Sequence, residues 1–220
     1  MSDVSDTGGR AMIFTDRAQA GDVLAASLSG YANRDDVIVL GLVRGGVPVA
    51  ARIAAALKAP LDVLVVRKLG VPWSPEVAFG ALGPGGVRVR NDDVERRLSP
   101  RDVDAVVERE AAELVRRERR YRGDRPPLHL TGRVAIVVDD GLATGATARA
   151  AVAVARGLGA VEVVVAVPVA APDSLQLVRA TADRVVCPSA PVSFMAVSQF
   201  YREFPQTSDA EVVTLLSSST

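Results

Sequence analysis

The chain has 220 residues, 26 basic and 26 acidic side chains for a formal net charge of zero, one cysteine, and 49% hydrophobic residues with only 4% aromatic. That length accommodates one domain with a sizeable core, expected over residues 11–220, and the balanced charge argues against a nucleic-acid-binding or membrane-surface role. Cys187 alone excludes an internal disulfide framework, the polar residues 1–10 carry no apolar signal region, and the longest apolar stretch, 163–171, is interrupted by Pro168 and too short to span a bilayer, so a cytoplasmic protein is expected.

Residues 1–10 read as disordered. Thr15 or Asp16 is placed to cap a helix running to about Leu28. Residues 37–42 read as a buried strand, 47–57 as a helix ended near Ala59-Pro60, and 61–66 as a second buried strand. Residues 69–86 are rich in Gly and Pro and read as a long loop, with a short strand at 87–90. Ser99-Pro100 starts a helix to about Tyr121, with Val103, Val106, Val107, Leu114 and Val115 as its apolar stripe. A strand at 134–138, a helix at 148–158, a strand at 161–167, a helix at 173–180 and a strand at 184–187 complete the alternation. Such alternation predicts an α/β fold: a doubly wound, mostly parallel sheet with right-handed crossovers and ligands at the carboxyl ends of its strands.

The most informative stretch is Val137-Val138-Asp139-Asp140-Gly141-Leu142-Ala143-Thr144-Gly145-Ala146-Thr147. A buried strand stops at two carboxylates, and a loop of small and hydroxylated residues then opens a helix. Loop N–H groups and a helix N-terminus form an anion cradle. Acids beside a bare phosphate would repel it; beside a ribose phosphate they accept hydrogen bonds from the sugar hydroxyls. Asp capping accounts for one acid but not for the second, nor for the Thr-Gly-Ala-Thr run. The P-loop pattern is absent, because Gly145 is followed by Ala146-Thr147 rather than Lys-Ser or Lys-Thr, and Gly157-Leu158-Gly159 ends a helix instead of opening one.

This stretch resembles the 5-phosphoribosyl-diphosphate (PRPP) signature of the type I phosphoribosyltransferases. The resemblance covers residues of about 37–190 and implies that family's fold, with a small hood near the C-terminus at about 185–206. It implies transfer of a 5-phosphoribosyl group from PRPP to a nitrogen of a base or amine, with release of pyrophosphate. Residues 141–147 would hold the 5-phosphate, and Asp139 and Asp140 the ribose hydroxyls. Mg2+ is the implied cofactor, near Asp139 and Asp140 through ribose or water. Arg44-Gly45-Gly46 resembles the family's pyrophosphate loop, where a non-proline cis peptide would fall at Arg44–Gly45. Arg67 and Lys68 suit the departing pyrophosphate. The 69–86 loop stands where the family carries a mobile lid; its one carboxylate, Glu76, is a base, a substrate-binding group or a solvated side chain.

Phe194, Phe200, Tyr201 and Phe204 follow the last strand. Phe194 and Tyr201 are the candidates for stacking on a base, against a minor core beneath the hood. His129 reads as structural, Cys187 as buried, and the arginines of 116–125 as a solvated helix end. Dimers are common in the family. A non-catalytic PRPP- or nucleotide-sensing regulator and a phosphorylase-like enzyme remain the alternative functions.

Overall fold

A computed structural model describes residues 11–218, apart from the Glu76 side chain. The expected disorder of residues 1–10 lies outside the described residues.

Helix α1 (Arg17–Ser27) opens with the Asp16 carboxylate accepting the Gln19 N–H at 2.8 Å. Strand β1 (Val37–Leu42), helix α2 (Gly46–Leu57) and strand β2 (Leu61–Leu64) follow, and every residue of both strands is buried. The chain then leaves the main sheet for an antiparallel one made of β3 (Arg67–Val71), β4 (Ser74–Leu82) and β5 (Arg88–Arg90). A short helix α3 (Asp92–Glu95) leads to the long α4 (Pro100–Arg122), whose N-cap Ser99 accepts the Asp102 N–H at 3.1 Å. Strand β6 (Val134–Val138), helix α5 (Ala146–Gly157), strand β7 (Glu162–Ala166), helix α6 (Pro172–Arg179) and strand β8 (Arg184–Val186) return to the main sheet, and α7 (Asp209–Ser217) closes the described chain.

The main sheet has the order β2-β1-β6-β7-β8, and each neighbouring pair is parallel. Alternation along the strands divides the core. Val37, Val39, Ile136 and Val138 pack with α1, α2, α4 and α7 on one face, while Ile38, Leu40, Ala135 and Val137 pack with α5 and α6 on the other. Strands covered on both faces read as unbroken apolar runs, which is the pattern of β1 and β6. Chain order reverses between β1 and β6. The crevice at their carboxyl ends is therefore the topological switch point.

Four expectations need correction. The 69–86 segment is not a long loop: residues 74–82 pair with 67–71 and 88–90, with register shifts around Gly70. Gly and Pro hid the strands, although Leu69, Val71, Phe79 and Leu82 bury one face of this sheet against Val103 and Val106 of α4. The second parallel strand ends at Leu64 rather than Val66, so Arg67 and Lys68 begin an antiparallel strand instead of ending a parallel one. Val115 is 46% exposed and does not belong to the apolar stripe of α4. The arginine run is solvated only in part: Arg116, Arg119 and Arg120 are exposed, but Arg122 is buried and bridges Asp62 of β2 through two bonds of 3.0 Å.

The hood draws on both ends of the chain. Phe14 N–H donates to Phe200 O at 2.8 Å, and the Arg202 and Glu203 N–H groups donate to Phe14 O and Thr15 O at 2.9 Å. Phe14 is buried against Tyr201 in a minor core of its own. Cys187 is half-buried; its thiol donates to Ser189 O at 3.2 Å, and burial pushes its pKa up to about 11.

Candidate active site at the switch point

The loop after β1 and the loop after β6 meet at the switch point. The cis peptide lies at Val43–Arg44, one bond earlier than expected. Gly45 packs so closely on the second acid that a Cβ there would sit 2.1 Å from Asp140 Oδ2. Position 45 is glycine because any side chain would displace that carboxylate.

The 139–147 loop is braced from three sides. The Leu142 N–H donates to Val169 O, and its carbonyl accepts from Ala171, both at 2.9 Å. Ser174 Oγ of α6 donates to Ala143 O at 2.6 Å, and Tyr201 Oη of the hood donates to Asp140 O at 2.7 Å. Leu142 therefore cannot offer its N–H to a phosphate, and its side chain is buried. Gly145 adopts φ +68°, a left-handed conformation at the N-cap of α5 that suits glycine. Ala143, Thr144 and Thr147 are exposed along the rim of the loop. Thr144 Oγ1 makes only a long 3.4 Å contact with the Ala146 N–H.

The two acids differ. Asp139 Oδ1 accepts the Asp140 N–H at 3.0 Å, and burial together with the Asp140 charge holds Asp139 well above the usual carboxylate range. Burial raises Asp140 as well, opposed by Arg17. Arg17 contacts Asp140 Oδ2 through Nε at 2.9 Å and Nη2 at 2.8 Å, and donates from Nη1 to Pro205 O at 2.7 Å. Its guanidinium lies 3.8 Å from the centroid of the Phe204 ring. Sequence reasoning missed Arg17. The available signal was a cation at the first position of a helix, where the macrodipole disfavours positive charge unless an anion lies close.

Arg17, Arg44, Gly45, Asp140, Phe204 and Gln206 line a cavity of about 360 Å3 that joins the first loop to the hood. A second cleft, of about 520 Å3, lies between the antiparallel sheet and the second loop, with Arg67, Lys68, Arg109, Glu110 and Thr147 on its walls. The buried Glu110 of α4 holds Arg67 there, with Nε and Nη2 at 2.8 and 2.5 Å from Oε2, so Arg67 carries its own counter-ion into the cleft. Glu76 falls in β4, three residues past the β3–β4 turn.

The hood aromatics also separate. Tyr201 is buried, with Phe14 at 5.6 Å and Phe204 at 4.8 Å between ring centroids, and presents no open face for stacking. Phe194 is half-buried and stacked on Phe200 at 5.3 Å.

No group of three or more His, Cys, Asp or Glu able to hold a metal ion occurs among the described residues. Two adjacent carboxylates alone fit an ion that arrives with oxygen ligands from substrate and water, the habit of Mg2+. No helix among the described residues is long and apolar enough to cross a membrane.

Paired acids, a loop of small residues at a helix start, and a glycine loop stand together at the switch point of a five-stranded parallel sheet, the usual place for a ligand in an α/β protein. The chain belongs to the phosphoribosyltransferases: the family model described as a phosphoribosyl transferase domain matches residues 12–204. It is 56% identical over 209 residues to the Mycobacterium tuberculosis protein named "Putative phosphoribosyl transferase Rv0571c", a match covering 93% of this chain and 46% of that one. The chain thus spans about half the length of the curated relatives it matches. The crystal structure of TT1426 from Thermus thermophilus superposes with a TM-score of 0.88 at 40% identity, over 94% of this chain and 99% of that one.

Proposed function

We propose that this chain transfers the 5-phosphoribosyl group of PRPP to a nitrogen acceptor and releases pyrophosphate. The observation that carries this reading is the contact between the two loops: Gly45 lies against the Asp140 carboxylate, so the pyrophosphate loop and the sugar-binding acids form one pocket. The amides of Gly141, Ala143, Thr144, Gly145 and Thr147, with the two threonine hydroxyls, hold the 5-phosphate at the start of α5. Asp139 and Asp140 accept hydrogen bonds from the ribose hydroxyls and offset positive charge developing on the ring. Arg44, with the Gly45 and Gly46 backbone, receives the pyrophosphate on one side; Arg67 and Lys68 approach it from the antiparallel sheet. Mg2+, when bound with PRPP, would neutralise charge on the leaving pyrophosphate and be held near Asp139 and Asp140. Closure of the β3–β4 hairpin excludes water from the activated sugar, and Glu76 on β4 travels with it. Phe194 is the aromatic ring left to face an acceptor, since Tyr201 is enclosed and the Phe204 ring is covered by Arg17.

The test is incubation with Mg2+, PRPP and a panel of purine, pyrimidine and amine acceptors, with pyrophosphate as the readout. Release that depends on one acceptor supports transfer. Tight PRPP binding without release under every acceptor identifies a sensor instead.

A further inference from the structure

The opposite edge of the main sheet carries a cavity that the proposed reaction does not use. It measures about 410 Å3 and lies at the amino ends of β1, β2 and β6, with Asp62, Arg122, Arg125, His129 and Arg133 among its lining residues. A strand of six residues separates this edge from the switch point by about 17 Å, at about 3.3 Å per residue.

Charge in this cavity is one-sided. Three arginines and a histidine face one carboxylate, Asp62, in a chain whose net charge is zero. Asp62 is already held by Arg122, through Nε and Nη2 at 3.0 Å, and Arg122 Nη2 also donates to Pro126 O at 2.6 Å. Three of the five Arg122 N–H groups are used, which leaves the two on Nη1. Arg125 is pinned by Leu61 O and Leu216 O. Among the described residues, the Arg133 guanidinium and the exposed His129 imidazole have no hydrogen-bond or ion-pair partner.

The walls are as informative as the charges. Pro60, Pro126 and Pro127 fix the rim, and Leu61 and Leu128 add apolar surface. A rigid apolar rim around convergent cations suits a ligand with a flat or apolar body and a phosphate group, and the volume falls in the range of small-molecule sites. A bare inorganic ion would leave the proline walls unused.

We propose that this cavity is a second binding site, for a phosphate ester of nucleotide size. The phosphate lies between Arg133, His129 and Arg122 Nη1, and the organic body lies against the proline rim. Occupancy has a direct route to the switch-point side, because Arg122 and Glu110 sit on the same helix and Glu110 holds Arg67 in the cleft there.

The test is a titration of the full isotope-labelled chain with adenosine 5′-monophosphate, followed through backbone amide shifts, with adenosine as the control. Two separate groups of shifting amides are expected, one at 139–147 and one at 128–133. Arg133→Glu is expected to weaken the 128–133 response by about tenfold while the 139–147 response stays unchanged. His129→Ala, at an exposed position, repeats the test where Arg133→Glu disturbs folding. Adenosine is expected to move neither 128–133 nor its neighbours at equal concentration. The proposal is overturned if the nucleotide shifts only 139–147, if the 128–133 response survives both substitutions, or if adenosine reproduces it. Loss of the 139–147 response alone counts against the proposed function and leaves this site standing.

Discussion

The two sheets carry different halves of the proposed site and bury their functional ends to different degrees. In the parallel sheet, β1 and β6 are buried along their whole length, and the loops they launch are locked together at Gly45 and Asp140. In the antiparallel sheet, Arg67 and Lys68 are half-exposed, and Arg67 is fixed by an ion pair to Glu110. The proposed sugar and phosphate contacts thus come from loops launched by fully buried strands, whereas the proposed leaving-group cations stand on the half-exposed end of a sheet whose inner face packs on α4. Positioning energy is largest where the backbone cannot relax.

Substitutions in each half probe that contrast. The largest effect is expected for Asp139→Ala combined with Asp140→Ala: pyrophosphate release falls by about 10³-fold or more, while circular dichroism and cooperative thermal unfolding are retained. Full activity in that variant removes the assignment of the acids. Asp62→Ala acts on the scaffold rather than the chemistry. It leaves the buried Arg122 without its partner, which costs about 3–5 kcal/mol in urea unfolding, while activity per folded molecule is retained. Gly45→Ala forces a Cβ into the Asp140 carboxylate, and a loss of about 10²-fold in kcat/KM is expected. A smaller effect is expected on the outer sheet. Glu110→Gln weakens the hold on Arg67 and changes KM for PRPP by up to about tenfold, with little change in kcat; a loss as large as that of Gly45→Ala would erase the contrast between the sheets.

The smallest effect is thermodynamic. The folded pKa of Asp139 is raised by burial and by the Asp140 charge. Between the unfolded carboxylate value and the higher folded value, the folded state holds a proton that the unfolded state has lost, so stability falls as pH rises through that window and levels off above it. Asp139→Asn removes that dependence and keeps the acceptor for the Asp140 N–H. Its Tm at pH 7 is expected to exceed that of the native chain by about 2–4 °C for each kcal/mol relieved, with the gap closing toward pH 4. Activity is lost in the same variant.

The legible parts of this molecule were those in which neighbours in sequence are neighbours in space. The runs 37–42 and 134–138 announced doubly covered strands, and the 139–147 loop carries its acids, glycines and hydroxyls in one contiguous stretch. Ser99 and Asp16 marked their helices through bonds spanning three residues. The β3–β4 hairpin was hidden because Gly70, Pro72, Pro75 and Gly80 outweigh its alternation, and its burial comes from α4, a partner many residues away. Arg17 and Glu110 were invisible for the same reason, since their partners Asp140 and Arg67 lie 123 and 43 residues away. For Tyr201 the minor-core alternative holds over stacking on a base, because Phe14, distant in sequence, packs on it together with Phe204.

The proposed function requires a single pocket in which the Asp139-Asp140 pair and the first loop bind PRPP together. Isothermal titration of the chain with PRPP in the presence of Mg2+ tests it most directly. A saturable one-to-one heat that disappears in the Asp139→Ala, Asp140→Ala variant is expected; no heat from the native chain, or an undiminished heat from the variant, rules the shared pocket out.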